Sequence, residues 1–401
     1  MKARKGLQNL MRRGAWYGGL LLTLALVLTG WHTGRGVAAQ APTEEQSGRA
    51  VTFSVIGDIM CHDKQLASAW NAKTGQHDFD RVFQTIKSRL SRADLTIANL
   101  ETTLPGKPAL YAGYPQFGSP DSLAAAVKNA GVDVLTLANN HSVDKQALGI
   151  KRTISVTQKL GFRILGTYAS VADYNQRRLL QVNVGGLRLI LLNYTYGTNG
   201  LKVPKGMVVN MIEARRIRSD IALARKAGPD AIMVLFHFGT EYQRHSSAYQ
   251  QKWVNYAIEE GADIVMGGHP HVLQPFGVRR SRDKYGYMKE RLITWSLGNF
   301  VSNQQRRYTD GGMIFNFSLR RNPDASSPQK LLFSNISYEP VWVYVDKRTA
   351  NHQFHILPVN DYIKNKMPLT LDRSGLAKMQ LFYKDTTAHL QPSMLSVAAW
   401  Q

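Results

Sequence analysis

Asp263-Ile264-Val265-Met266-Gly267-Gly268-His269-Pro270-His271 is the stretch on which the reading of this chain turns. Its opening apolar run predicts a short buried strand. Two histidines one residue apart, just past the strand end, can turn toward one point. Imidazole nitrogen is a good ligand for Zn, Mn or Fe. The glycines before them let the backbone come close to whatever sits there. A lone His-x-His pair is weak evidence for a metal, but here it closes a series.

Each other station in that series also ends an apolar run. Val51–Ile56 ends in Gly57-Asp58-Ile59-Met60, and Asp94–Ala98 in Asn99-Leu100-Glu101. Val132–Ala138 ends in Asn139-Asn140-His141, and Ala231–Phe236 in His237-Phe238-Gly239-Thr240-Glu241. Arg291–Trp295 ends in Ser296-Leu297-Gly298-Asn299-Phe300. Short apolar runs with polar ends are the pattern of buried strands. In open α/β sheets, ligands bind outside the carboxyl ends of such strands. Asp, Glu, Asn and His therefore recur where a site would be assembled. Helical spacing is expected over Phe79–Arg92, Asp121–Asn129, Lys145–Leu160, Met211–Lys226 and Ser247–Glu260, several of them stopped by a following glycine. Alternating strands and helices predict an α/β fold.

Lys2, Arg4, Lys5, Arg12 and Arg13 precede an apolar stretch from Ala15 to about Trp31, and Val37-Ala38-Ala39 resembles a cleavage site. Residues 1–39 are expected to be a signal peptide or an N-terminal membrane anchor, with a polar linker over 40–50. Either alternative puts the rest of the protein outside the cytoplasm, in the cell envelope. Of the formal net charge of +22, six units belong to residues 1–39, so the remainder still carries +16. That excess suggests a polyanionic neighbourhood such as anionic lipid, teichoic acid or a polycarboxylate. No nucleic-acid motif is present, and nucleic acid is not expected as a partner. The single cysteine, Cys61, excludes an intrachain disulfide and reads as a small buried hydrophobe.

Taken together, these motifs resemble the bacterial capsule synthesis protein CapA family, over roughly Val51 to Val301. The matching segments are Gly57–Met60, Ala98–Glu101, Ala138–Asp144, His237–Tyr242, Gly267–Pro275 and Ser296–Phe300. The resemblance implies poly-γ-glutamate synthesis or export and a domain similar to the calcineurin-like metallophosphatases. It thus implies a four-layer α-β-β-α sandwich spanning 51–308, with a C-terminal β-rich flank at 309–401. It also implies a site for one or two divalent ions, Mn, Fe or Zn. Carried over residue by residue, the metal ligands would be Asp58, Glu101, Asn140, His237, His269 and His271. Asn99 or Glu101 would stand near the bridging carboxylate. His141 would be the general acid, with Asn140 and Glu101 beside it in the catalytic set. Met60 departs from the pattern, because the superfamily has a histidine there and a thioether is a poor ligand for hard ions. His62, two residues on, is the substitute within reach.

Three functions stay open. The chain is a metal-dependent hydrolase of a phosphoester or a γ-glutamyl or other amide bond, a non-catalytic polyanion-binding part of a membrane-bound synthesis or export complex, or an enzyme transferring polymer to the envelope. It has no Walker-type loop, so polymerisation would need partners. Asp144 reads as a cap of the following helix. Glu241 would orient His237 or meet substrate, while Ser296 and Asn299 would order the rim. Tyr111–Phe117 is a candidate lid, and Arg279, Arg280, Arg282 and Lys284 form a basic loop suited to an anionic chain. Beyond Thr309, strands are expected over 313–319, 333–338, 341–345 and 352–357, then a helix over 376–390.

Overall fold

The structure is a computed structural model that describes residues 48–349, 351–366 and 369–398. The leader expected over 1–39, and most of the linker, lie outside the described residues. Among the described residues no helix is long and apolar enough to cross a membrane.

Two sheets form the centre. The first contains β1 (Val51–Ile59), β2 (Leu95–Leu100), β3 (Val134–Thr136) and β4 (Arg163–Leu165), all parallel and adjacent in that order. The second holds β5 (Leu180–Val184), β6 (Leu187–Thr195), β7 (Ala231–His237), β8 (Ile264–Gly268), β9 (Phe276–Arg282) and β10 (Met288–Thr294). Its order is β9-β10-β8-β7-β6-β5, with β6, β7, β8 and β10 parallel and the two edge strands antiparallel. β11 (Asn299–Val301) crosses back to pair with the end of β1.

The layers follow from alternation of side chains along each strand. On β2, Leu95 and Ile97 enter the core between the sheets, while Ala98 enters the core under the helices. On β7, Met233 and Leu235 face the first sheet. Ile232, Val234 and Phe236 instead meet Ile217, Ile221, Val254 and Ile258 of helices α7 (Ala214–Lys226) and α8 (Ala248–Glu260). Helices α4 (Asp121–Asn129) and α5 (Gln146–Lys159) cover the first sheet with Leu123, Val127, Ile150 and Ile154. The result is the expected four-layer α-β-β-α sandwich.

The C-terminal segment joins the sandwich more intimately than a packed flank. β12 (Gly311–Arg321), β13 (Leu331–Asp346) and β14 (Gln353–Pro358) extend the first sheet antiparallel from β1. The two strands expected over 333–345 are one, because Pro340 sits opposite Met313 without ending the ladder. Two other expectations fail. Phe79–Arg92 contains two short helices, α2 (Asp80–Phe83) and α3 (Lys87–Leu90), separated by a break; α1 (Asp63–Ala69) precedes them, and α6 (Val171–Arg177) lies between α5 and α7. Arg279–Arg282 is not a loop, for it pairs residue by residue with Arg291–Met288 as an edge strand.

Candidate functional site

Parallel pairing carries the carboxyl ends of β1, β2, β3, β7 and β8 to one rim. Asp58 stands at a register shift of β1 against β2. Such a bulge re-aims a side chain. It is made possible by Gly57, where an added Cβ would lie 2.0 Å from the Gly298 carbonyl oxygen. Gly267 has the same constraint against the Trp295 carbonyl, also at 2.0 Å. The two histidines that follow both adopt left-handed backbone, φ 97° at His269 and 58° at His271. Non-glycine residues there carry strain of about 1–3 kcal/mol, and such strain collects at functional sites.

Asp58, Glu101, His237, His269 and His271 come together, all 3% exposed or less. The Asp58 carboxylate accepts from the Asn99 side-chain amide at 2.8 Å and the His269 backbone N–H at 3.3 Å. His271 Nδ1 lies 3.2 Å from Asp58 Oδ2 and 3.0 Å from the Asn299 side-chain oxygen. Glu101 Oε1 is 3.6 Å from His237 Nε2 and 3.8 Å from His271 Nε2. Two groups therefore offer ligand atoms within 4.8 Å of one another: Glu101, His269 and His271, and Asp58, Glu101 and His237. They share Glu101. Asn140 adjoins the second, its side-chain oxygen 2.7 Å from His237 Nε2. Asn99 sits among them and donates to Asp58.

Electrostatics make the cluster's demand plain. Burial works against the charged Asp58, but the His271 hydrogen bond and the fields of His237 and His271 outweigh it and hold the carboxyl below its usual range. Burial alone would lower His271; Glu101 and Asp58 reverse that and hold it up to about 9. His269 is pushed down by burial and by the two neighbouring imidazoles. Glu101 Oε1 and His269 Nδ1 are buried with no hydrogen-bond partner. A buried polar atom left so costs about 1–3 kcal/mol, more when charged. Oxygen and imidazole donors converging on these orphaned atoms fit a divalent cation such as Mn, Fe or Zn.

His141 is buried beside this group, and its Nδ1 is 2.6 Å from Asp144 Oδ2. The cap expected of Asp144 is not made, because the α5 helix starts without a side-chain cap. Asp144 instead binds His141 and accepts the Phe117 backbone N–H at 2.6 Å. The Phe117 ring meets the His141 ring edge-on at 4.6 Å, so the 111–117 loop is pinned to the imidazole. The His-x-x-Asp spacing was the signal for this pair. Asn299 does more than order the rim: it contacts His271 and donates to the Thr309 carbonyl. The Ser296 hydroxyl accepts the Gly298 N–H, and its carbonyl accepts the Gln274 N–H. Glu241 is exposed at the mouth and helps hold His271 protonated.

Met60 is buried, with its backbone tied to Val301 and Gln65. His62 does not join either ligand group. Its Nδ1 lies 3.2 Å from both the Gln65 side chain and the Asn303 backbone nitrogen, and burial pushes its imidazole down to about 4. Cys61 is buried, and its thiol is pushed up to about 12 by that burial.

The profile of the family described as bacterial capsule synthesis protein PGA_cap matches residues 52–304. The capsule biosynthesis protein CapA of Bacillus anthracis is 29% identical over 321 residues, covering 76% of this chain and 72% of that protein. The PGA biosynthesis protein CapA of Bacillus subtilis (strain 168) is 26% identical over 295 residues, covering 72% of each. Among solved structures, the NAD nucleotidase NadN of Haemophilus influenzae superposes with a TM-score of 0.47 at 12% identity, over 85% of this chain and 60% of that one.

Proposed function

The chain belongs to the bacterial capsule synthesis protein family PGA_cap, and from that premise we propose that it acts in the cell envelope, outside the cytoplasm, as a metal-dependent hydrolase. Its substrate would be a phosphoester or a γ-glutamyl or other amide bond in an anionic polymer of the poly-γ-glutamate kind. The names of the two Bacillus relatives support the polymer. The N-terminal segment would hold it at the membrane, beside a synthesis or export complex.

One observation carries the hydrolase reading: two buried ligand groups meet at Glu101, whose Oε1 has no hydrogen-bond partner. Asp58, Glu101, His237, His269 and His271, with Asn140 alongside, would hold one or two ions. A divalent cation there supplies Lewis acidity, acidifying water and drawing charge from a phosphoryl or carbonyl oxygen. The chain's own part is clear from its contacts. Asp144 orients His141 through Nδ1, which leaves Nε2 to give a proton to the leaving group. Asn140 fixes His237 and Asn99 fixes Asp58, so the donors are set before substrate arrives.

The test is metal content by elemental mass spectrometry on wild type, Glu101→Gln and the double variant His269→Ala/His271→Ala, beside turnover of phosphodiester and γ-glutamyl substrates. Metal close to stoichiometric in wild type, lost with turnover in both variants, is the expected result. A second reading, a polyanion-binding component without turnover, is favoured by Met60 standing in the place of a ligand. Wild type that takes up no metal from excess Mn or Zn would leave that reading in front.

A further inference from the structure

Two tyrosines, Tyr242 beside the cluster and Tyr308 in the loop after Asn299, adopt left-handed backbone, at φ 68° and 76°. A bulky side chain in that region is an outlier held by its surroundings. Tyr242 is held by its N–H to the Pro270 carbonyl, between the two cluster histidines, and its ring lies 6.4 Å from His271. Tyr308 precedes Thr309, whose carbonyl takes the amide of Asn299, itself a partner of His271. Each ring carries an arginine. Arg306 lies over Tyr242 at 5.6 Å, and Arg244 over Tyr308 at 4.1 Å. Arg307 also reaches Tyr308, but Asp385 neutralises it. Among the described residues Arg306 and Arg244 make no ion pair; Arg244 spends one N–H on the Asp385 carbonyl.

We propose that Arg306 and Arg244, shelved on Tyr242 and Tyr308, form a wall that binds successive carboxylates of an acidic chain and so sets which substrate reaches the cluster. The proposal rests on the site reading above only for its placement. A guanidinium held over a ring keeps N–H groups to offer a planar anion: all of the fork at Arg306, and what the Asp385 carbonyl leaves at Arg244. Two such forks on separate loops suit charges spaced along a chain better than one compact dianion. Strain at both tyrosines is the cost of presenting the shelves.

The experiment titrates the full-length protein with a short γ-linked oligoglutamate, with oligoglutamine of equal length as the neutral control. Arg306→Gln and Arg244→Gln are each expected to weaken oligoglutamate binding about tenfold, the worth of one charge-assisted contact. Arg306→Lys should recover only part of it. Arg215→Gln, an equal change of charge on the exposed face of α7, should leave affinity unchanged. Wild-type affinity in the Arg306→Gln/Arg244→Gln double variant would overturn the wall. So would a wild type that binds polyphosphate but not oligoglutamate. Metal content and turnover are read on the same samples. Arginine-dependent binding without metal or turnover sinks the hydrolase and keeps the wall, whereas turnover with arginine-independent binding does the reverse.

Discussion

Glu101 answers two opposed demands. It belongs to both candidate ligand groups, yet as a buried carboxylate its Oε1 makes no hydrogen bond and faces His237 and His271 at 3.6 and 3.8 Å. Removing its charge leaves the protonated His271 without one of its two buried carboxylate partners. Glu101→Gln is therefore expected to lose about 3 kcal/mol relative to wild type in urea unfolding without metal. Adding Mn should stabilise wild type and leave the variant where it was. At Asp144 the expected effect is on rate alone. Asp144→Asn removes the negative charge that faces His141 Nδ1 and offers an amide that can turn its NH2 to the ring, so kcat should drop about a hundredfold with metal content unchanged. Cys61 gives a pH-dependent readout. Because burial lifts its thiol to about 12, it stays protonated through neutral and mildly alkaline pH. A thiol reagent at pH 8 should label the native protein negligibly and the denatured protein once per chain. The metal-donor candidates were legible because each ends an apolar run. Asp144 was misread because one carboxylate after a histidine suits a helix cap and a partner equally well, and only the turn of Asn139–Asp144 decides between them.

At the level of elements, the bulge at Gly57 is the most sensitive point. A methyl there would collide with the Gly298 carbonyl, which also receives the Asp58 N–H at 3.1 Å. Gly57→Ala should cost about 1–3 kcal/mol. It should also weaken metal uptake, since Asp58 moves with the bulge; thermal melts and metal titration check both. The strand-and-helix order was readable wherever periodicity and glycine stops agreed, as at Asp121–Asn129 and Ser247–Glu260. It was unreadable where pairing decides the outcome. Val278 to Arg282 shows no apolar face, yet the ladder with Met288–Arg291 and the buried ion pairs of Arg291 with Asp263 and Asp283 hold it as a strand. The hairpin of β5 and β6 carries no chemical motif at its end; the side-chain oxygen of Asn193, two residues before the end of β6, takes the Ala138 N–H and ties the two sheets together.

At the level of the whole molecule, the sandwich does not stop where the family match ends. Residues 52–304 are matched, but β12 to β14 supply three of the eight strands of the first sheet. A chain cut at 308 would expose the edge of β1 and strip Phe315, Phe317, Trp342 and Tyr344 from the core between the sheets. It is expected to show no cooperative thermal transition, where the intact protein shows one. The pairing of β1 with β12 also sets an order of events during synthesis. Val51–Ile59 emerges early, and its neighbour Gly311–Arg321 emerges only in the last third of the chain. Until then one side of the first strand is an open edge, which recruits strands from other molecules as readily as its own. A polypeptide built this way stays unfinished until its tail is free, and closes only then.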